Sequence, residues 1–464
     1  MLLDSGARDD TTGHRTRHGG NDTMDLTTIL PSLGGGLFTL VAFVVALSVI
    51  VTIHEYGHYI VGRLSGIHAE VFSVGFGPVL FRRTDRHGTV WQVAALPLGG
   101  YVKFLGDANA ASVGGDAAVA TGRDARHTML GAPLWARAAT VAAGPIFNFA
   151  LTILIFAGYL MWVGTPADPI TFKRAVPLPE RFATELQPGD EILAAGDMVL
   201  TDETFLDSLP LSPRVDYTVR RDGAEVIASG PYPTPPRAGG ISPRSAADDA
   251  GLRVGDVITA VDGEEVFAFN QLVSLVKEGD GKPMRLTIWR DGETFEEDLT
   301  PRRVDLPRDE GGFETRWLIG LTGDLFFETA NDPVGPLEAL GRGVQQLWRT
   351  ITVSLSGLWH IVTGAISTCN ISGPVGIAET SGSMASQGTG SFILFIASLS
   401  AAVGLLNLFP IPVLDGGHLV FHAYEAVTRR KPTDRALRVL MATGLSLILT
   451  FMLFAILNDV WLCP

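Results

Sequence analysis

Residues 37–62 read LFTLVAFVVALSVIVTIHEYGHYIVG. As far as Ile53 the run has no charge and is almost wholly apolar; it then delivers His54-Glu55-Tyr56-Gly57-His58. About 20 apolar residues suffice to cross the roughly 30 Å of bilayer hydrocarbon. The pentapeptide is H-E-x-x-H. Its two histidines, four apart, share one face of a helix and can chelate one metal ion, while the glutamate stands beside the bound water. Neutral imidazoles suit Zn2+, and an open zinc site takes three protein ligands. Ionisable groups at membrane depth are costly and are kept for function. Gly57 leaves room beside the metal, and Gly62 ends the helix. The expectation is a membrane helix that carries a water-activating metal site.

Three more apolar runs follow, at 138–164, 391–413 and 436–462. Hydrophobic residues make up 46% of the 464, and their concentration in four runs between polar segments excludes a soluble helical core. The expected class is an α-helical polytopic membrane protein with four transmembrane helices. Residues 1–35 read as a polar, disordered tail, with Met24 as an alternative start. No small-x-small cleavage site closes the first run, so it is a retained anchor rather than a signal peptide.

Orientation follows from Lys and Arg near the span ends. Arg82, Arg83, Arg137, Arg429, Arg430 and Lys431 mark the cytoplasmic side. The segment 165–390 carries 19 basic against 34 acidic side chains and falls outside, as do both termini. The formal net charge of −14 argues against nucleic acid as a partner. Two cysteines, Cys369 and Cys463, are too few for a four-cysteine zinc site.

The outer segment contains an echo. LQPGDEILA at 186–194 resembles LRVGDVITA at 252–260, an offset of 66 residues that fits a duplicated small β domain. In the second copy 245–251 reads as a short helix ended by Gly, 257–261 as a strand, Asp262-Gly263 as a hairpin turn and 269–276 as an amphipathic helix. Residues 284–290 and 294–299 form a hairpin about Asp291-Gly292. This order resembles a bacterial PDZ domain, a fold that adds an extended peptide to a sheet edge. Domains are therefore expected at 165–235 and 236–327. From 328 to 390, apolar residues at helical spacing read as amphipathic helices on the membrane surface.

The third metal ligand should come from another span. The segment 391–423 ends its apolar run in NLFPIPVLDGGH at 407–418, where two prolines break the helix and two glycines free the backbone. Irregular backbone at membrane depth is tolerated where it lines a polar cavity. Asp415, the one carboxylate of the span, is the expected ligand, with His418 its rival.

HEYGH at 54–58 together with N-x-x-P-x-P-x-L-D-G-G at 407–417 resembles the site-2 protease family of intramembrane zinc metalloproteases. The paired PDZ-like domains narrow the resemblance to the regulator of sigma-E protease type. PLGGYVK at 97–103, GPIFN at 144–148, SGPVGIA at 372–378 and Asn458-Asp459 look like that type too. The resemblance implies one Zn2+ on His54, His58 and Asp415, with Glu55 as catalytic base. It implies that Asn148 and Asn407 hold the substrate or its oxyanion. Within the region 63–137, residues 90–104, read as two strands around 97–100, would form a membrane-associated β-loop whose Gly99, Gly100, Tyr101 and Val102 pair with an unwound substrate. It also implies a bacterial inner-membrane protein with its active site towards the cytoplasm, including a loop at 424–435, and its PDZ-like domains in the periplasm. The substrates would be single-span proteins: anti-sigma factors already cut by an upstream site-1-type protease, and remnant signal peptides. The competing readings are a non-catalytic PDZ-bearing scaffold and a metal transporter.

Overall fold

The computed structural model of the protein describes residues 26–106, 122–199, 209–308 and 312–462. The expected tail as far as residue 25, with Met24, lies outside them, as does Cys463. The chain divides into a short unit, Met1–Phe38, and a main unit, Thr39–Pro464. The first supplies the opening turns of helix α1 (Leu26–Leu64); the rest of the description concerns the second. Among the described residues four helices are long and apolar enough to cross a membrane: Gly35–Leu64, Leu134–Val163, Thr389–Asn407 and Asp434–Leu462.

After α1 come two long strands, β1 (Ala69–Thr84) and β2 (Val90–Phe104). Each bends. Residues 71–74 have partners on both sides, 90–93 and 100–103, while 79–84 pair with 90–94. The bend in β1 falls at Gly75 and Gly77, both at positive φ, and the bend in β2 at the Pro97–Gly100 stretch. The two expected strands are thus the two legs of β2, with β1 between them. Asp85 ties the sheet to α1: its carboxylate accepts from Tyr59 Oη (3.0 Å), Trp91 Nε1 (3.1 Å) and the amides of His87 and Thr89. Helix α2 (Leu134–Val163) follows Pro133 and stops at Gly164, at φ +80°.

The segment between the second and third apolar helices carries more strand than its local pattern foretold. It holds β3 (Thr165–Pro166), β4 (Phe172–Ala175), β5 (Glu191–Ala195), β6 (Met198–Val199), β7 (Val215–Arg221), β8 (Ala224–Gly230) and β9 (Gly240–Ile241). A short helix α3 (Ala246–Asp249) precedes β10 (Val257–Val261) and β11 (Glu264–Glu265). Helix α4 (Phe269–Glu278) follows, then β12 (Met284–Arg290), β13 (Glu293–Leu299), β14 (Arg302–Pro307), β15 (Phe313–Leu318), β16 (Leu321–Thr322), β17 (Phe327–Thr329) and β18 (Asn331–Asp332). Two sheets share one topology, β6-β5-β7-β8 and β11-β10-β12-β13. Asp262-Gly263 and Asp291-Gly292 have positive φ at both positions, the geometry of two-residue hairpin turns.

The echo has a physical cause. In the first copy Asp190 accepts from the Gln187 amide and grips Arg221 at 2.7 and 2.6 Å. In the second Asp256 accepts from the Arg253 amide and grips Arg290 at 2.7 Å twice. The Arg221 fork holds the Asp190 carboxyl below the usual carboxylate range. Each Gly-Asp therefore fixes a turn and clamps it to the adjacent hairpin.

The two copies are nested rather than simply in series. Strands β16, β17 and β18 return to pair with β9, β4 and β3. Phe326 and Phe327 fill the core of the first copy beside Phe172 and Tyr217. The boundary at 327 expected from local pattern is crossed because these pairings join residues far apart in sequence.

Helix α5 (Pro336–Val362) lies against α2, with Gly343 backed onto the Ile153 carbonyl. A 3-10 turn at Thr368–Asn370 carries Cys369, which is disulfide-bonded. Helices α6 (Pro374–Ser386) and α7 (Thr389–Asn407) follow, separated by Gly388 at φ +120°. The segment 408–414 is a folded break, and α8 (Asp415–Thr428) starts on the expected metal ligand. Helix α9 (Asp434–Leu457) is capped by Thr433, whose hydroxyl accepts from the Ala436 amide. It ends in a wide turn, Asn458–Leu462, that buries Asn458 and Asp459.

Candidate metal centre and active site

Helix α1 presents His54 and His58 one turn apart, as the i, i+4 spacing requires. The break before α8 delivers Asp415 to the same point. Its chain turns back on hydrogen bonds from Ile411 N to Phe409 O (2.7 Å) and from Leu414 N to Ile411 O (2.8 Å). A Cβ on Gly416 or Gly417 would strike the carbonyls of Leu408, Phe409 or Ile411. That is why the two prolines are followed by two glycines.

Three ligand atoms converge. His54 Nε2 lies 3.2 Å and His58 Nε2 3.4 Å from Asp415 Oδ2, and the two Nε2 atoms are 3.2 Å apart. Ligands about 2.0–2.1 Å from a tetrahedral zinc stand about 3.3 Å from one another. Asp415 Oδ2 is buried and has no hydrogen bond. An unsatisfied buried carboxylate oxygen facing two imidazole nitrogens is what a cation would complete, so the residues fit zinc. His54, His58 and Asp415 form the one such group among the described residues. His418, the rival ligand, is not in it; its ring meets Phe421 edge-on.

The outer nitrogens of the imidazoles are also held. His58 Nδ1 donates to the Thr140 carbonyl at 2.8 Å, which fixes Nε2 as the metal-facing atom. His54 Nδ1 lies 3.2 Å from the Asn148 amide group. Asn148 Nδ2 faces that nitrogen, while Oδ1 is buried without a partner. Amide oxygen and nitrogen are assigned from hydrogen bonding, and a half-turn of this amide brings Oδ1 to His54 Nδ1 as its acceptor. Asn148 then accepts from His54 Nδ1 and leaves Nε2 free to bind metal. Asn148 is fully buried beside His54. Asn407 ends α7 with its Nδ2 on the Val403 carbonyl.

Helix α2 approaches closely enough to do this because of glycine. A Cβ on Gly144 would overlap His58 Nε2 and lie 2.8 Å from His54 Cε1. A Cβ on Gly57 would lie 2.6 Å from the Ala143 carbonyl. Glu55 follows the first ligand and accepts the backbone N–H of Val102. Gly100 runs past it: a Cβ there would lie 3.2 Å from Glu55 Cγ. Gly99 and Tyr101 belong to the same leg of β2, and Tyr101 is in register with Ser73.

Sequence reasoning missed three supports. Arg137 is buried and binds Glu425 at 2.9 and 2.7 Å, pinning α8 to α2. Thr140 acts through a carbonyl, which no side-chain pattern reveals. Gly144 was legible as part of a motif but not as the space into which the imidazoles fit.

The model of Peptidase family M50 matches residues 42–451. A protein of Agrobacterium fabrum with the provisional name of zinc metalloprotease is 35% identical over 94% of this chain and 99% of its own length. A similarly named protein of Rhizobium meliloti is 36% identical over 92% and 97%. The regulator of sigma E protease of Salmonella typhimurium is 32% identical over 91% and 98%. The buried His-His-Asp group accords with those names, and the chain belongs to peptidase family M50, the site-2 proteases: it is a zinc metalloprotease.

Proposed function

We propose that this chain hydrolyses a peptide bond inside the transmembrane segment of a single-span protein. The observation that carries the reading is the convergence of Asp415 with His54 and His58, Glu55 following the first of them, on a helix apolar enough to cross a membrane. His54, His58 and Asp415 would hold a zinc ion, which would supply Lewis-acid polarisation of the scissile carbonyl and acidify the attacking water. Glu55 takes the proton as the water oxygen bonds to the carbonyl carbon, and returns it to the nitrogen as the C–N bond breaks.

A transmembrane helix satisfies its own amides and must be unwound before it is cut. The leg of β2 that holds Gly99, Gly100, Tyr101 and Val102 runs beside Glu55 and offers replacement hydrogen bonds to an extended substrate. Asn407 stands at the break as a further donor for the substrate. The nested sheets serve as PDZ-like domains that bind or exclude what projects from the outer face. The substrate class is a single-span protein already trimmed by another protease, such as an anti-sigma factor, or a remnant signal peptide. Cleavage takes place towards the cytoplasmic side of a bacterial inner membrane. A transporter would spread its ligands along a path, whereas these meet at one point; a scaffold would have no need of Glu55.

The test is co-expression with a tagged single-span reporter carrying a short outer stub. The wild type yields a shortened cytoplasmic fragment, and Glu55→Gln yields none while keeping its zinc. Equal cleavage by both chains would refute the assignment of Glu55. A chain that cuts no stub-bearing reporter would refute the substrate class.

A further inference from the structure

We infer that Gln387 is a latch that occupies a peptide-binding strand edge of the outer domain and is displaced when an extended peptide binds there. The inference rests on reading the nested sheets as peptide-binding domains. Strand β9 pairs with β16 along one edge, through Ile241 opposite Leu321 and Gly240 opposite Thr322. Gly239 N and Ser242 N donate to that side, to Thr322 O and Gly320 O. The N–H and C=O of Ile241 point the other way. One residue offering both groups on one side is the unit that an added antiparallel strand engages.

Here both groups are taken by a single side chain. Gln387 Oε1 accepts from Ile241 N at 3.1 Å, and Gln387 Nε2 donates to Ile241 O at 2.8 Å. A primary amide presents the same acceptor and donor as a peptide group, so Gln387 reproduces the two bonds of one residue of an incoming strand. A peptide that adds at Ile241 needs the same two atoms, so peptide and Gln387 exclude each other.

Gln387 is placed to report the exchange. It is the C-cap of α6 and is followed by Gly388, at φ +120°, and then by α7. A second contact closes the same joint. Arg244, three residues after Ile241, donates to the Asp459 carboxylate at 3.1 Å and its carbonyl at 3.2 Å, and pairs with Glu379 of α6 at 3.3 Å. Asp459 in turn accepts the Gly373 and Gly376 amides at the start of α6. Domain and α6 are thus joined at both ends of the helix, and one of the joints lies on the edge a peptide would take. Binding at that edge and release of the C-terminal end of α6 are linked reciprocally.

The test uses the full chain in lipid nanodiscs. The probe is a fluorescein-labelled heptapeptide of alternating valine and threonine with a free carboxylate. Gln387→Ala raises hydrogen exchange of the Ile241 amide at least tenfold and tightens heptapeptide binding at least fivefold. Added to the wild type, the peptide raises exchange at 386–388. Gln387→Glu keeps the acceptor, loses the donor and falls between the two, which separates latch loss from misfolding; unchanged zinc content is the control on the fold. Unchanged exchange at Ile241 in Gln387→Ala overturns the latch, and equal affinity of both chains overturns the competition. A heptapeptide that binds neither chain overturns the peptide-binding reading itself. None of these readouts depends on cleavage.

Discussion

Replacing Asn148 tests the metal centre without touching a ligand. Its side chain is fully buried, and the one group it serves is His54 Nδ1 at 3.2 Å. In Asn148→Ala the Nδ1–H of His54 loses its acceptor in a site too enclosed to offer a replacement, a loss of about 1–3 kcal/mol. The alternative for the imidazole is to move its proton to Nε2, which forfeits the metal. Loss of an outer hydrogen-bond partner typically weakens metal binding about 10–100-fold, or about 1.4–2.8 kcal/mol, so the two routes agree. Asn148→Asp should behave in the opposite way. A carboxylate accepts the same proton more strongly and raises the basicity of Nε2, so affinity is held or increased. The assay is competition for zinc against a fluorescent chelator, with the protein in nanodiscs at pH 7.5 and thermal unfolding as the control on the fold. Asn148→Ala with wild-type zinc affinity, or Asn148→Asp as weak as Asn148→Ala, would refute the assignment of Asn148 as an acceptor.

Gly144→Ala should cut bound zinc to below a tenth of the wild-type stoichiometry by metal analysis, because the new Cβ occupies the place of His58 Nε2; normal zinc content would mean that α2 yields where the packing says it cannot. Glu425→Ala strands the buried Arg137 and should cost about 3–5 kcal/mol, seen as a lowered unfolding midpoint. The double variant Arg137→Met with Glu425→Leu should recover most of that loss, and equal midpoints for single and double variants would count against a charge-stranding cost. The Asp85 carboxyl is depressed to about 2: burial opposes this, but donors from Trp91, His87, Thr89 and Tyr59 outweigh it. Its contribution to stability is therefore complete above the ordinary carboxylate value of about 3.9 and is lost as pH falls through about 2. The difference in melting temperature between wild type and Asp85→Asn should be flat from pH 5 to 8 and shrink between pH 4 and 2, and a difference that shrank nearer pH 6 would point to another group.

The sequence made some features plain because their physics is local. Two histidines at i, i+4 and a lone carboxylate after two prolines need only helix geometry and the cost of burying charge to be recognised. The hairpin turns at Asp262-Gly263 and Asp291-Gly292 need only the preference for positive φ. What stayed hidden depends on partners far away in the chain. Arg137 reads as a marker of the cytoplasmic side, and only the fold shows that it answers Glu425, 288 residues on. Phe326 and Phe327 look like the end of the second copy, yet they complete the core of the first. Asn148 was legible as a site residue, but the side of the imidazole on which it sits depends on how α2 crosses α1.

These supports bear on how the site can be controlled. Asp415 does not ride on α7, the helix that precedes it in the chain. The folded break at 408–414 separates the two, and α8 is fastened to α2 through Arg137 and Glu425, while α7 is held to the same helix by Thr152 on the Ala397 carbonyl and Ser400 on the Asn148 carbonyl. His58 and His54 are fastened to α2 as well, through Thr140 and Asn148. The elements that carry the three ligands are therefore all braced against one helix. Gln387 and Arg244 act at α6, which leads into α7 through Gly388. A shift that moves α6 meets first the joint at Gly388 and then α7, which is itself held to α2, before it reaches Asp415. Control through α6 then acts on what approaches Glu55, while the metal centre stays assembled and ready. Zinc affinity should therefore be the same in the wild type and in Gln387→Ala even where their cleavage rates differ; a zinc affinity that changed with the latch would show that the break transmits motion.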